Sequence, residues 1–160
     1  MEIELQRKLA AMIQADKDMD NVIKTLDKYQ TEIDLIGGTP LNHAVNYNRN
    51  EIIKYLIYRD ANVNALFEKN YSPLMSAVDG KNIEIVKLLL EKGANVNLKD
   101  KYGNDALFKA VDTLNLDLIK LLIEAGSNPF IGNNPENYSA YDSAKDIVAD
   151  EVVRYFDSLK

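Results

Sequence analysis

The chain has 160 residues, 46% hydrophobic and 28% charged, with no cysteine and a formal charge of −6. That is enough apolar material for a continuous core, yet no apolar run approaches the roughly 18–20 residues a membrane helix requires. The absence of cysteine excludes disulfides and thiolate metal sites, and a net acidic chain is poorly suited to nucleic acid, which is held through Lys and Arg.

The opening residues MEIELQRKLA lack a basic region followed by an apolar block and do not read as a secretory signal. Leu5, Leu9, Met12 and Ile13 share one helical face, and Val22, Ile23 and Leu26 share one face of a second helix. Between them, Asp16-Lys17-Asp18-Met19-Asp20-Asn21, with Ile23 and Asp27 beyond, approximates a calcium loop in which alternate carboxylates wrap the ion. Asn21 stands where that loop bends at Gly, and Asp27 is one methylene shorter than the Glu required. The same stretch must be helical from Val22 to keep the apolar stripe. It reads better as a polar turn, with Asp20 or a neighbour capping the second helix. A calcium-responsive binder remains a lesser alternative.

Further on, a 33-residue period governs the chain. Thr39-Pro40-Leu41-Asn42-His43-Ala44, Ser72-Pro73-Leu74-Met75-Ser76-Ala77 and Asp105-Ala106-Leu107-Phe108-Lys109-Ala110 are successive copies of one start. A hydroxyl before Pro suits a helix N-terminus: the side chain caps free N–H groups and Pro is tolerated at the first helical position. Leu41/Ala44, Leu74/Ala77 and Leu107/Ala110 lie three apart on one face, where Ala admits a neighbouring helix. Asn50–Ile57, Ile83–Leu90 and Leu116–Ile123 repeat a second amphipathic stripe at the same step. Gly93 and Gly126 fall where a helix ends in a left-handed residue, and Asp60 holds that place earlier. Asp60-Ala61-Asn62-Val63-Asn64 and Gly93-Ala94-Asn95-Val96-Asn97 close their units, and Glu32-Ile33-Asp34 echoes them near the front. Ser139-Ala140-Tyr141-Asp142-Ser143-Ala144 is a further start, one residue out of step, and Asp150–Phe156 supplies its second helix. The polar stretch Gly132–Asn137 is the turn before it.

This pattern resembles the ankyrin repeat, in which a turn, two antiparallel helices and an extended loop recur every 33 residues from a T-P-L-H-x-A start. The resemblance covers three clear units, 34–66, 67–99 and 100–132. It implies an all-α solenoid of about five helix-turn-helix units in a single domain, with 1–33 and 133–160 as degenerate terminal caps that turn a polar face to water. Asn42, Met75 and Phe108 replace the usual His, Asn48, Lys81 and Leu114 stand where Gly is common, and Asp105-Ala106 replaces Thr-Pro. These departures are expected to loosen local turn hydrogen bonding while keeping the apolar pattern.

No catalytic set is apparent. His43 is the single histidine and has no partnered nucleophile, so it reads as a side chain satisfied locally. Asp142, Asp146, Asp150 and Glu151 are spaced as a solvated helix surface. The function expected is a non-catalytic protein-binding module without cofactor or metal, cytoplasmic, monomeric when free, and binding neither nucleic acid nor membrane.

The resemblance implies that partners dock on a concave face lined by turn tips and first helices. Transferring that frame names Leu35, Ile36, Asn46 and Tyr47 in the second unit and Glu68, Lys69, Tyr71 and Asp79 in the third. Lys101, Tyr102, Asn104, Asp112 and Thr113 follow in the fourth, then Glu136 and Tyr138 in the last. Exposed tyrosines supply hot-spot contacts, and the acids among them suit a protein partner with a basic surface. A chain that is nearly all repeat has no room for an effector domain, so it is expected to act by binding alone. A stoichiometric inhibitor or immunity protein for a basic toxin or enzyme ranks first, and an adaptor or host-directed effector second.

Overall fold

The 33-residue period of the sequence is also a period of the backbone. A computed structural model describes residues 2–15, 19–29, 39–132 and 136–160. Within them α1 (Glu2–Ala15) precedes α2 (Met19–Tyr29), and α3 (Pro40–Asn46) precedes α4 (Asn50–Tyr58). The pairs α5 (Pro73–Asp79) with α6 (Ile83–Glu91), α7 (Ala106–Thr113) with α8 (Leu116–Glu124), and α9 (Ala140–Asp146) with α10 (Asp150–Asp157) follow. First helices start 33 residues apart at Pro40, Pro73 and Ala106, then 34 further on at Ala140. The extra residue read in the sequence therefore precedes Ser139. Among the described residues the architecture is all-α, consistent with a solenoid of helix pairs.

Each first helix from α3 onward begins at a side-chain cap. Thr39 Oγ1 accepts from the Asn42 N–H while the Asn42 carbonyl oxygen accepts from the Thr39 N–H, and Ser139 and Asp142 form the same reciprocal box. Ser72 caps the Met75 N–H and Asp105 the Phe108 N–H. Such a cap contributes about 1 kcal/mol. The expected loosening is absent at Asn42. Its Nδ2 also donates to Ala65 O at 2.8 Å, tying the helix start to the loop that closes its own unit. Met75 is instead fully buried, exchanging a hydrogen bond for apolar contact.

The first helices stack in one row, α1 on α3, α3 on α5, α5 on α7 and α7 on α9. Ala44, Ala77, Ala110 and Ala144 are buried along that row, and their small side chains allow the close approach. The second helices bury Ile52/Ile53/Leu56, Ile85/Val86/Leu89, Leu118/Ile119/Leu122 and Val152/Phe156. Leu9, Ile13, Val22 and Leu26 extend the same core into the first pair. Polar ties cross the units as well. Arg49 donates from Nε to Ile13 O at 3.1 Å and from its guanidinium to Gln14 O, satisfying carbonyls at the end of α1. Asn64 donates to Gly93 O and accepts from the Asn95 N–H, at 3.2 and 2.8 Å, linking two closing loops.

Left-handed residues recur at fixed places. Gly93 and Gly126 have φ of 83° and 100°, and Asp60 has 59°. The turns inside the pairs place Asn48, Lys81, Leu114 and Val148 at φ of 57°, 52°, 53° and 56°. For most L-residues that conformation costs roughly 1–2 kcal/mol, and a β-branched side chain is the least tolerant. Asn48 shows which residue fits. Val148→Asn is expected to raise stability by about 1 kcal/mol and Tm by roughly 2–4 °C, with Leu114→Asn acting in the same direction. Thermal unfolding followed by circular dichroism checks this, and a fall in Tm would show that Val148 is stabilised by contacts its exposure does not suggest.

Candidate functional site

The tips between units are built by backbone bonds. In the third unit the Phe67 N–H donates to Tyr71 O at 2.7 Å around a single 3-10 turn, Glu68–Asn70, with Lys69 and Asn70 at φ of 61° and 60°. In the fourth, the Asp100 N–H donates to Asn104 O at 2.9 Å and Gly103 takes φ of 86°. The tips are joined: the Lys101 N–H donates to Lys69 O at 2.8 Å.

Asp100 organises the fourth tip from inside. Its Oδ1 accepts from the N–H groups of Tyr102 and Asn104 at 2.9 and 3.0 Å, and its Oδ2 meets Lys109 Nζ at 2.9 Å. Burial opposes its charge, but Lys109 and the two backbone N–H groups outweigh that and hold the carboxyl below the usual range. Lys109 also lies over the Tyr71 ring, 5.1 Å from its centroid. One lysine thus links a buried carboxylate of one unit to a tyrosine of the unit before.

Along the first helices, the Tyr71 hydroxyl donates to Asp79, and the Tyr138 hydroxyl donates to Asp146 at 2.5 Å. Both pairs are eight residues apart, so each ring lies along its own helix. Asn104 and Asp112 hold the corresponding places between them. Burial raises the Asp112 carboxyl above its ordinary value, Lys109 opposes this, and the neighbouring charge of Asp79 adds to it. Burial, then the bond to Asp79, raises Tyr71. The bond to Asp146, then burial, pushes Tyr138 up to about 12. Phe108 and Tyr138 meet with centroids 6.1 Å apart.

Among the sequence candidates, Asn46, Glu68, Lys69, Asp79, Lys101, Asp112 and Glu136 are exposed, and Tyr102 is exposed at 57%. Tyr71 and Tyr138 are half-buried with committed hydroxyls. Tyr47 is half-buried at the C-terminal end of α3, and Asn104 is part of its tip. Thr113 serves α7: its hydroxyl donates to Ala110 O at 2.7 Å and accepts from the Asn115 N–H at 3.2 Å. Leu35 and Ile36 lie outside the described residues, as do Asp16 to Asp18 of the calcium-like stretch. The rest of that stretch is in α2, where Asp27 accepts from the Tyr55 hydroxyl and pairs with Arg59 at 3.5 Å. His43 is buried edge-on against Phe67, at 5.5 Å between centroids.

Sequence reasoning missed Lys109 and Asp146. Asp79, Asp112 and Asp146 recur at the unit step, a signal that was present, whereas the link made by Lys109 crosses two units and leaves none.

A family model of ankyrin repeats, in three copies, matches residues 8–100 and 41–133. No curated protein matches the chain.

Removing one partner of a buried ion pair leaves the other uncompensated, so Lys109→Met is expected to cost roughly 3 kcal/mol in urea unfolding. Adding Asp100→Asn should recover part of it. With its carboxyl lowered by folding, Asp100 contributes stability above the ordinary carboxylate range that is lost as pH falls through its folded value; Asp100→Asn should therefore flatten the acid side of the stability profile. Tyr138 has the opposite sign. Its contribution is present below the ordinary tyrosine value near 10 and is lost as pH rises toward about 12. Alkaline absorbance titration should show one hydroxyl ionising earlier in Asp146→Asn than in the unaltered protein.

Proposed function

The chain belongs to the ankyrin-repeat family, and on that premise we propose that it binds a basic partner protein through its first-helix face and turn tips. Ankyrin repeats are in general protein–protein interaction modules. The observation that carries the finer reading is the row Asp79, Asp112 and Asp146, one exposed carboxylate per unit along the first-helix face. The charge of Asp79 acts on Asp112, and a cation delivered by a partner relieves that repulsion. The tip at Lys101–Asn104 is held by four hydrogen bonds, all of them from Asp100 or to it, and by one bond to the preceding tip. A surface fixed in this way loses little entropy on docking. Tyr102 supplies the exposed aromatic anchor.

The spacing narrows the partner. Packed helices lie about 8–10 Å apart, and a polyproline II chain has three residues per turn and advances about 3.1 Å per residue. A segment in that extended form with Lys or Arg at every third position keeps its cations on one face and places one on each carboxylate. Such a surface suits a stoichiometric inhibitor or immunity protein that covers a basic toxin or enzyme without chemistry of its own.

The test uses synthetic extended peptides with Lys at every third or every fourth position. The first is expected to bind more tightly, with affinity falling as salt rises. Asp79→Asn/Asp112→Asn should weaken it about fivefold, and Tyr102→Ala should weaken it further while circular dichroism stays unchanged. Tyr102 is the cleaner aromatic probe, because Tyr71 is half-buried structure. Equal binding of both peptides to the protein and to the Asp variant would sink this reading.

A further inference from the structure

Surface grooves beside the second helices balance their charges. Lys54 and Lys87 line the groove between α4 and α6 together with Glu84 and Glu91. Two acids likewise match two lysines in each of the two grooves beside α8. The groove between α1 and α2, about 290 Å³ in volume, departs from that balance. Lys8 lines it from α1 and Lys24 and Lys28 from α2, and no acid is among its lining residues. Lys24 and Lys28 are four apart on one helical face, a spacing at which like charges repel.

The acids nearby do not offset this. Asp27 is engaged by Tyr55 and Arg59 of the next pair, and Asp20 sits in the first turn of α2, outside the groove. Among the described residues neither Lys8 nor Lys24 forms an ion pair, whereas Lys54, Arg59, Lys109, Lys145 and Lys160 each pair with a carboxylate. An anion seated among the ammonium groups relieves their repulsion. A carboxylate brings one charge, whereas a phosphate monoester brings about −1.5 to −2 and three acceptor oxygens, which suits three ammonium groups better. Leu9 and Met12 make part of the lining apolar, so a hydrophobic neighbour of the phosphate is accommodated. The chain as a whole carries −6, so an extended polyanion such as a membrane surface or a nucleic acid meets net repulsion. A compact anion does not, because charges beyond about 8 Å are largely screened at physiological salt.

We propose that the groove between α1 and α2 binds a phosphate monoester borne by a partner protein, a phosphorylated side chain with an apolar residue beside it. Lys8 and Lys24 supply the charge that holds it. The site is independent of the first-helix reading, since it lies in the first pair and its ligand carries the opposite charge.

The experiment titrates the full chain with a short synthetic peptide carrying phosphoserine between two leucines, with its unphosphorylated counterpart and with inorganic phosphate, and follows amide chemical shifts. The phosphopeptide should bind more tightly than inorganic phosphate, shift residues 8–12 and 21–28, and weaken as salt rises. The unphosphorylated peptide should not bind. Lys8 and Lys24 are exposed, so Lys8→Gln/Lys24→Gln should leave Tm unchanged, which separates a lost site from a lost fold. That variant should weaken phosphopeptide binding about tenfold. Asp79→Asn/Asp112→Asn should leave it nearly unaltered, so this site and the first-helix face fail separately. No binding of the phosphopeptide, equal binding of the unphosphorylated peptide, or undiminished binding to the lysine variant overturns the proposal. Inorganic phosphate binding as tightly as the phosphopeptide overturns a partner protein as the source. Retention on phosphatidylserine vesicles that the lysine variant abolishes overturns it in favour of a membrane surface.

Discussion

A single pair of short helices has apolar surface on both sides and cannot bury both within itself. Everything else in this protein depends on that constraint. α5 has α3 on one side and α7 on the other, and it can do so because Ala44, Ala77 and Ala110 leave room between the rows. Larger side chains there would push the units apart and open the core along its length. The tips and faces inherit their spacing from this packing, so any partner that reads several units is reading the spacing of the alanine row.

The first-helix face and its tips are also coupled to the core rather than laid over it. Asp100 is buried, fixes the backbone that presents Tyr102, and receives Lys109 from α7. Lys109 in turn covers Tyr71, whose hydroxyl is held by Asp79. A change in this chain of contacts alters tip geometry and carboxylate charge together. That is a physical reason for the face to behave as one preformed surface rather than as independent contacts.

How much was legible follows from what a period can encode. Thr39, Ser72, Gly93 and the Leu/Ala pairs each act within one unit, through caps, left-handed ends and helical faces, and their spacing alone identifies them. The positions of Asn46, Asp79 and Asp112 on the exposed face were legible for the same reason. Contacts between units were not. Nothing in its spacing says that the Tyr71 ring lies along α5, that Lys109 serves two units, or that burial acts on Asp112. Asn42 is a middle case: its place in the start motif was read, but its bond to Ala65 needs the return of a loop 23 residues later.

The same comparison isolates the residues that a stable repeat alone does not require. Asn48 shows that the turn accepts a residue suited to left-handed geometry, yet Leu114 and Val148 hold it against their preference. Local choices that oppose backbone preference are expected where a surface serves something outside it. These residues occupy the turns at the ends of α7 and α9, not scattered sites. The strain therefore falls at equivalent places in successive units, where each first helix gives way to its second.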